Sequence, residues 1–234
     1  MTSKSIIYYT DNRLAEPLYS IVQKQIFKAN LPIYSASLKP IGFGYNVIIH
    51  DDPCYPTMVE QIIAALEASD TQYVFFTEHD VLYDPSHFDF IPPRDDIFYY
   101  NINIWRWWLG SKKVIQHDRM MSLSSLCVNR EFVLDHYRRR QRIIEQKGWD
   151  QKTKGEPSWA RAIGYEPGTK KRKRGGFSDD DFDTWKSAYP NVDVRHEGTY
   201  SRPKVALSEF KHPPKWWREK NARALTKWKL SELL

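Results

Sequence analysis

Tyr73-Val-Phe-Phe-Thr-Glu-His-Asp80, continuing as Val81-Leu-Tyr-Asp-Pro85, is the stretch on which the reading of this chain turns. Apolar and aromatic residues rich in β-formers predict a buried strand. The strand runs directly into Glu78, His79 and Asp80 before Pro85 breaks the chain. Charge at the end of a buried strand is unfavourable unless something pairs with it. In open α/β sheets, ligands bind just outside the carboxyl ends of the strands, and carboxylates there suit a hard divalent cation. The competing reading is an acidic pair that merely caps the following turn, and this segment alone does not choose between them.

Upstream, the pattern is that of a wound α/β half. Ser5–Thr10 predicts a first strand, ending in the polar group Thr10-Asp11-Asn12-Arg13. A helix is expected from Pro17, which suits a first helical position, with Leu18, Ile21, Val22, Gln25 and Ile26 on one face. Ile33–Ser37 and Tyr45–Ile49 predict two more strands, separated by the loop Lys39-Pro-Ile-Gly-Phe-Gly44. Thr57-Met-Val-Glu60 has capping-box spacing, so a second helix is expected to start at Thr57. Strand, helix, strand, strand, helix, strand implies parallel winding with polar strand ends gathered on one edge.

Downstream the pattern changes. Phe98–Trp105 alternates like one long strand, Val114-Ile115 and Leu123–Val128 predict others, and Arg130–Lys147 reads as a helix stopped by Gly148. Residues 149–177 are rich in Gly, Pro, Lys and Arg and read as an exposed loop. Ser178-Asp-Asp-Asp181 is expected to open a short helix bearing Phe182, Trp185 and Tyr189; Asn191–Arg195 predicts a last strand, ending at His196. The stretch from Lys215 reads as a basic, Trp-bearing helix. The expected organisation is one α/β domain over 1–210, with a central mixed sheet flanked by helices. It comprises a nucleotide-binding half (1–82) and an acceptor half (83–210), followed by a basic helical tail (211–234).

Composition narrows the function classes. The chain has 234 residues, 41% hydrophobic and 27% charged, which is globular rather than disordered. Two cysteines give neither a disulfide framework nor zinc spacing. No run reaches transmembrane length and no signal-peptide pattern opens the chain, so a cytoplasmic protein is expected. The dinucleotide fingerprint, the phosphate-cradling Gly-x-x-x-x-Gly-Lys and the Gly-x-Ser-x-Gly elbow are all missing. Net charge is +6, which favours an anionic partner. Aromatic residues, at 15% with nine Trp, offer stacking surfaces for sugars or bases beyond ordinary core filling.

The order of these features resembles that of GT-A fold nucleotide-sugar glycosyltransferases. In that family an Asp-x-Asp-type motif closes the nucleotide-binding half and holds Mn²⁺ or Mg²⁺ against the sugar diphosphate. Glu78-His79-Asp80 stands in that place, with Glu at its first position. Gly175-Gly-Phe-Ser-Asp-Asp-Asp181 is similar to the Gly-Gly-Glu-Asp-Asp-Asp segment of the β-1,4-galactosyltransferases, with Ser178 replacing Glu, and Val194-Arg-His196 is similar to their C-terminal metal-binding His. The resemblance implies Glu78, Asp80 and His196 as metal ligands and a UDP-sugar as donor. It places Thr10 and Asp11 at the nucleoside, with Arg13, Lys39 and His79 as further donor-binding candidates. His79 is expected to point away from the metal, since neighbours alternate faces on an extended segment.

The catalytic base implied is Asp179 or Asp180, with Glu156 as a rival; equally, Ser178 with Asp181 is what a helix N-terminus prefers. His196 also reads as an ordinary strand-end histidine. His87 reads as structural, and Trp105, Trp107 and Trp108 as packing beneath the acceptor. For the acceptor, Lys170, Lys171, Arg172, Lys173 and Arg174 lie beside the proposed catalytic segment, where phosphate contacts would serve duplex DNA. A 5-hydroxymethylated pyrimidine in DNA, as in phage-type enzymes, is therefore the leading acceptor. A bacterial surface glycan or lipid-linked saccharide is the alternative, and a nucleic-acid-binding module without activity is a third reading. Oligomeric state is left open.

Overall fold

A computed structural model describes residues 3–150, 182–197, 204 and 206–230. Asp179, Asp180, Glu156 and the Lys170–Arg174 run lie outside them. In chain order the first half comprises β1 (Lys4–Thr10), α1 (Leu18–Phe27), β2 (Ile33–Ser37), β3 (Tyr45–Ile48), α2 (Tyr55–Ala68), β4 (Tyr73–Glu78) and β5 (Val81–Leu82). Then follow β6 (Phe98–Asn101), β7 (Ile104–Trp108), β8 (Lys113–Gln116), β9 (Leu126–Asn129), α3 (Arg130–Lys147), β10 (Phe182–Trp185), β11 (Asn191–Arg195) and β12 (Arg218–Asn221).

Seven strands form a mixed sheet in the order β10-β6-β9-β4-β1-β2-β3. β1 pairs in parallel with both β2 and β4, and β2 with β3. β9 alone runs antiparallel to its neighbours. The chain therefore winds outward from β1 through β3, then crosses back to lay β4 on the other side of β1. That reversal is a topological switch point, the place where open α/β sheets bind ligands, at the carboxyl ends of β1 and β4. The α/β expectation holds, and so does the parallel winding of the first half.

Both faces of this sheet are covered, which explains its near-continuous apolar runs. Ile6, Tyr8 and Phe75 meet Leu18, Val22 and Ile26 of α1 in one cluster, and Ile7, Tyr9, Val74 and Phe76 meet Val59, Ile62 and Leu66 of α2 in another. Each such fully buried aliphatic or Phe side chain contributes roughly 1.5–3 kcal/mol. The second sheet, β12-β8-β7-β11-β5, shares the α1-side cluster through Val81, Leu82, Trp105, Trp107, Val114, Val192 and Val194. Gly44 closes the loop before β3 with φ +69°, and a Cβ there would lie 2.3 Å from the Ile33 carbonyl oxygen, so only glycine fits.

Four expectations need correction. Phe98–Trp105 is two strands in two different sheets, because Asn101 and Asn103 turn the chain between them. Asn101 Oδ1 accepts from the Asn103 and Ser187 amides, and Asn103 Nδ2 donates to the Ser187 carbonyl. Phe182–Trp185 is an edge strand parallel to β6 rather than a helix. Trp185 stacks on Phe90 at 4.3 Å, so tertiary packing overrides the local N-cap signal. Helix α2 begins at Tyr55, with Pro56 in its first turn, and the Thr57 hydroxyl donates to the Asp52 carbonyl instead of capping. The tail is strand and turn, not helix: β12 pairs with β8, and Trp217, Leu225, Trp228 and Leu230 are buried. Trp217 stacks on His117 at 4.0 Å, and the Trp228 indole donates to the Pro190 carbonyl at 2.7 Å.

Candidate active site

The switch point brings together the described residues at the ends of β1, β2 and β4. At the end of β1, the Asp11 carboxylate accepts from the Arg13 amide (3.0 Å) and its Nε (2.8 Å). Burial works to raise the Asp11 carboxyl, but these hydrogen bonds outweigh it and hold the group below its usual range. Between them, Asn12 takes a left-handed φ of 61° and its Oδ1 accepts from the Leu38 and Lys39 amides. The loop after β1 is thus tied to the loop after β2, which carries Lys39. The Gln61 side chain donates to the Thr10 carbonyl and anchors the strand end to α2.

On the neighbouring strand, β4 delivers Glu78. Its backbone amide donates to the Tyr83 hydroxyl at 3.0 Å, which in turn donates to the Ser124 carbonyl. Its side chain accepts from the Tyr9 hydroxyl at 2.9 Å, as the Tyr9–Glu78 register pairing requires. His79 turns the other way, with Nδ1 at 2.8 Å from the Thr10 hydroxyl. The alternation expected from the extended backbone therefore carries through to the strand's end.

The second sheet completes the site. The Val194 amide donates to the Asp80 carbonyl at 2.9 Å, and β11 pairs with β5 at Asp193–Val81, so Asp193, Arg195 and His196 come alongside the acidic pair. Asp193 is 6% exposed and binds two guanidinium groups, Arg195 at 3.0 Å and Arg106 at 3.4 Å. Glu78 is pushed up to about 8, first by burial, then by the Asp80 charge, against the Tyr9 hydrogen bond. Asp80 is raised by burial and by Asp193, against His79, Arg195 and His196. Burial lowers His196.

No family model matches this chain, and no curated protein matches it. Among solved structures it is similar to the apo form of the glycosyltransferase GlyE from Streptococcus pneumoniae TIGR4, at 10% identity and TM-score 0.43, covering 80% of this chain and 46% of that one. It is similar to a glycosyltransferase involved in glycosylation of the major capsid of PBCV-1, at 8% identity and TM-score 0.45, covering 82% and 93%. A third is a mutant Drosophila β-1,4-galactosyltransferase 7 in complex with manganese, UDP-Gal and xylobiose, at 14% identity and TM-score 0.35, covering 56% and 50%. The chain thus spans about half the length of the first and third.

Whether the residues fit a divalent cation can be judged from their own chemistry. Among the described residues, no three His, Cys, Asp or Glu side chains converge into a ready-made cage. Glu78 and Asp80 instead form an open carboxylate edge whose ionisation the surroundings oppose. A divalent cation cancels that charge, and two protein ligands leave positions for phosphate oxygens. The chemistry of this pair therefore fits a hard divalent cation. His196 lies close enough to Asp80 for their charges to interact. Of the donor-side candidates, Thr10 and His79 touch each other, Asp11 and Arg13 pair, and Lys39 is joined to them through Asn12. Sequence reasoning missed Tyr9, Tyr83, Asp193, Arg195 and Arg106. The charged pattern Asp193-x-Arg195 before His196 was the available signal for two of them, but only the register of β11 against β7 brings Arg106 in.

His87 is structural: its Nδ1 lies 2.9 Å from Asn101 and 3.1 Å from Asn191, and burial lowers it to about 3. Trp105 and Trp107 are buried in the core, while Trp108 is half-buried beside Arg195. Among the described residues, no helix is long and apolar enough to cross a membrane.

Proposed function

We propose that this chain is a nucleotide-sugar glycosyltransferase that moves a sugar from a UDP-sugar to an acceptor hydroxyl with a divalent cation. One observation carries the reading. The strand-order reversal between β1 and β4 sets the Thr10–Arg13 and Lys39 loops beside Glu78 and Asp80, and the second sheet brings Arg195 and His196 to the same acidic pair.

Each residue then has a task. Asp11, fixed by Arg13, and the Asn12-tethered Lys39 loop hold the nucleoside end of the donor. Glu78 and Asp80 would hold Mn²⁺ or Mg²⁺, and His196, beside Asp80, would be drawn in as a further ligand whose imidazole favours Mn²⁺. The cation supplies positive charge against the diphosphate. As the bond from the anomeric carbon to the phosphate oxygen breaks, negative charge grows on the leaving UDP. Arg195, oriented by Asp193, faces that charge as a fixed cation. The acceptor oxygen forms the new bond to the anomeric carbon and gives its proton to a carboxylate, to which we assign Asp179 or Asp180, with Glu156 as the rival. For the acceptor, the net charge of +6 and the Lys170–Arg174 run support a polyanion, so a 5-hydroxymethylated pyrimidine in duplex DNA is assigned first.

Thermal unfolding with UDP, with and without Mn²⁺, tests the donor side directly. At about a hundredfold excess over Kd, binding stabilises by about 2.7 kcal/mol. For a chain of this length that raises Tm by roughly 5–10 °C. The wild type should show this rise only with Mn²⁺, and Asp80→Ala should lose it. An unshifted wild type sinks the reading; an Asp80→Ala variant that still responds removes Asp80 from the site and favours a binding module whose acids are only caps. Transfer from UDP-sugars to hydroxymethylated duplex, against free and lipid-linked saccharides, tests the acceptor.

A further inference from the structure

The end of the second sheet that carries the site also carries a basic ledge. Arg195 pairs with Trp108 across β11 and β7, and Trp107 pairs with Val114 across β7 and β8. Lys113 pairs with Asn221 across β8 and β12, and the Ala222 amide donates to the Lys112 carbonyl. Arg195, Trp108, Lys113 and Asn221 therefore stand in a row along one edge. With neighbouring strands about 4.8 Å apart, three steps put β12 roughly 14 Å from β11. Beside that row, Lys112, Lys113, Glu219, Lys220 and Asn221 line a cleft of about 330 Å³.

We infer that this ledge is a track for the phosphate backbone of a nucleic acid, running from the β8–β12 cleft toward Arg195. The inference deepens the DNA-acceptor reading above and rests on it. Charge complementarity names the occupant. Residues 211–230 contain seven Lys or Arg against the single acid Glu219, and Glu219 is already paired with Lys113 at 2.7 Å. Lys112 and Lys220 are exposed, and Lys220, on the sheet face opposite Lys113, sits over the Trp105 ring at 4.8 Å. A distance of roughly 14 Å is about four base-pair steps at ~3.4 Å, so one duplex reaches both cleft and site.

An anionic bilayer is the weaker occupant. Lipid binding at such a tail needs apolar side chains to insert, yet Trp217, Leu225, Trp228 and Leu230 are buried in the protein core. A nucleic acid needs only the charges and polar groups the ledge displays.

The test is the affinity of a short fluorescent hydroxymethylated duplex across a salt series. The protein is compared with a Lys112→Ala/Lys113→Ala/Lys220→Ala variant and with a Lys24→Ala/Lys28→Ala control at the C-terminal end of α1. Each phosphate contact adds ~0.9 to the slope of log affinity against log salt, so the triple variant should lose roughly 2–3 from the slope and at least about tenfold in affinity. The control should bind as the wild type does. Lys112→Glu, which disturbs neither the Glu219 pair nor the Trp105 contact, should weaken binding in the same direction if the triple variant folds poorly. Unchanged affinity in these variants overturns the inference, as does competition by anionic vesicles but not by unlabelled duplex. Nucleotide-sugar hydrolysis by the wild type separates the failures. Hydrolysis without DNA binding removes the track alone, whereas neither activity removes the donor reading as well.

Discussion

In the metal-free protein, Glu78→Gln should stabilise the fold, and by more as pH rises. The Glu78 carboxyl is held near 8 by burial and by Asp80, against an ordinary 4.5. Between those values the folded protein keeps a proton that the unfolded chain has released. Stability therefore falls with rising pH, by at most 1.36 kcal/mol per pH unit. The full interval corresponds to an upper bound on the order of 4–5 kcal/mol, with Asp80, raised by the same burial, adding in the same direction. Glutamine keeps an acceptor for the Tyr9 hydroxyl and cannot ionise, so it removes the penalty without opening a cavity. Urea unfolding in EDTA at a series of pH values would read the difference. The two proteins should agree near pH 4.5 and diverge through pH 8, with the variant more stable. Mn²⁺ should then rescue the wild type and not the variant. A difference that stays flat with pH would refute the placement of Glu78 in a desolvated acidic pair.

Three further outcomes follow from other parts of the structure. Asp193→Asn removes the carboxylate that binds both Arg106 and Arg195 and leaves only the more distant Asp80 charge opposite them, at a cost of about 2–4 kcal/mol given the long 3.4 Å contact on one side; calorimetry should show Tm lower by roughly 5–15 °C. His87, held near 3 by burial, refuses a proton that the unfolded chain accepts below about 6.5, so stability should decline as pH falls from 6.5 toward 3. Replacing it with Gln should flatten that limb in acid-unfolding curves. Gly44→Ala forces a Cβ against the Ile33 carbonyl at a positive φ and should destabilise by at least about 1–2 kcal/mol, seen as a lower urea midpoint at an unchanged slope.

Where local pattern and tertiary demand agree, the sequence was sufficient. Helix α3 runs from Arg130 to Lys147, with the Asn129 side chain accepting from the Phe132 amide and Gly148 at φ 71° ending it, as the pattern requires. Tyr73–Glu78 is a strand because both of its faces are buried, and an uninterrupted apolar run is the signature of that situation. The two segments misread as helix share one cause. Phe182–Trp185 and Arg218–Asn221 are edge strands of four residues, and their pairing partners, β6 and β8, lie roughly a hundred residues away in the chain. A helical period over so short a span carries little energy, while Trp185 against Phe90 and Trp217 against His117 carry more. The same limit hid half of the site. Glu78 and Asp80 are legible as costly charges at a strand's end, but Arg106, Asp193 and Arg195 join them only through the register of the second sheet.

That division bears on what the acidic pair is for. A carboxylate kept for stability would sit where its neighbours favour ionisation, as Asp84 does beside Lys227 at 2.6 Å. Glu78 and Asp80 sit where burial and a third carboxylate oppose it, and the guanidinium of Arg195 only partly offsets them. Neutralising either should therefore stabilise the bare fold while abolishing the Mn²⁺-dependent response to UDP. A structural carboxylate would show a loss of stability and no effect on UDP. The two effects have opposite signs for a functional pair, because the charge that burial penalises is the charge a cation needs.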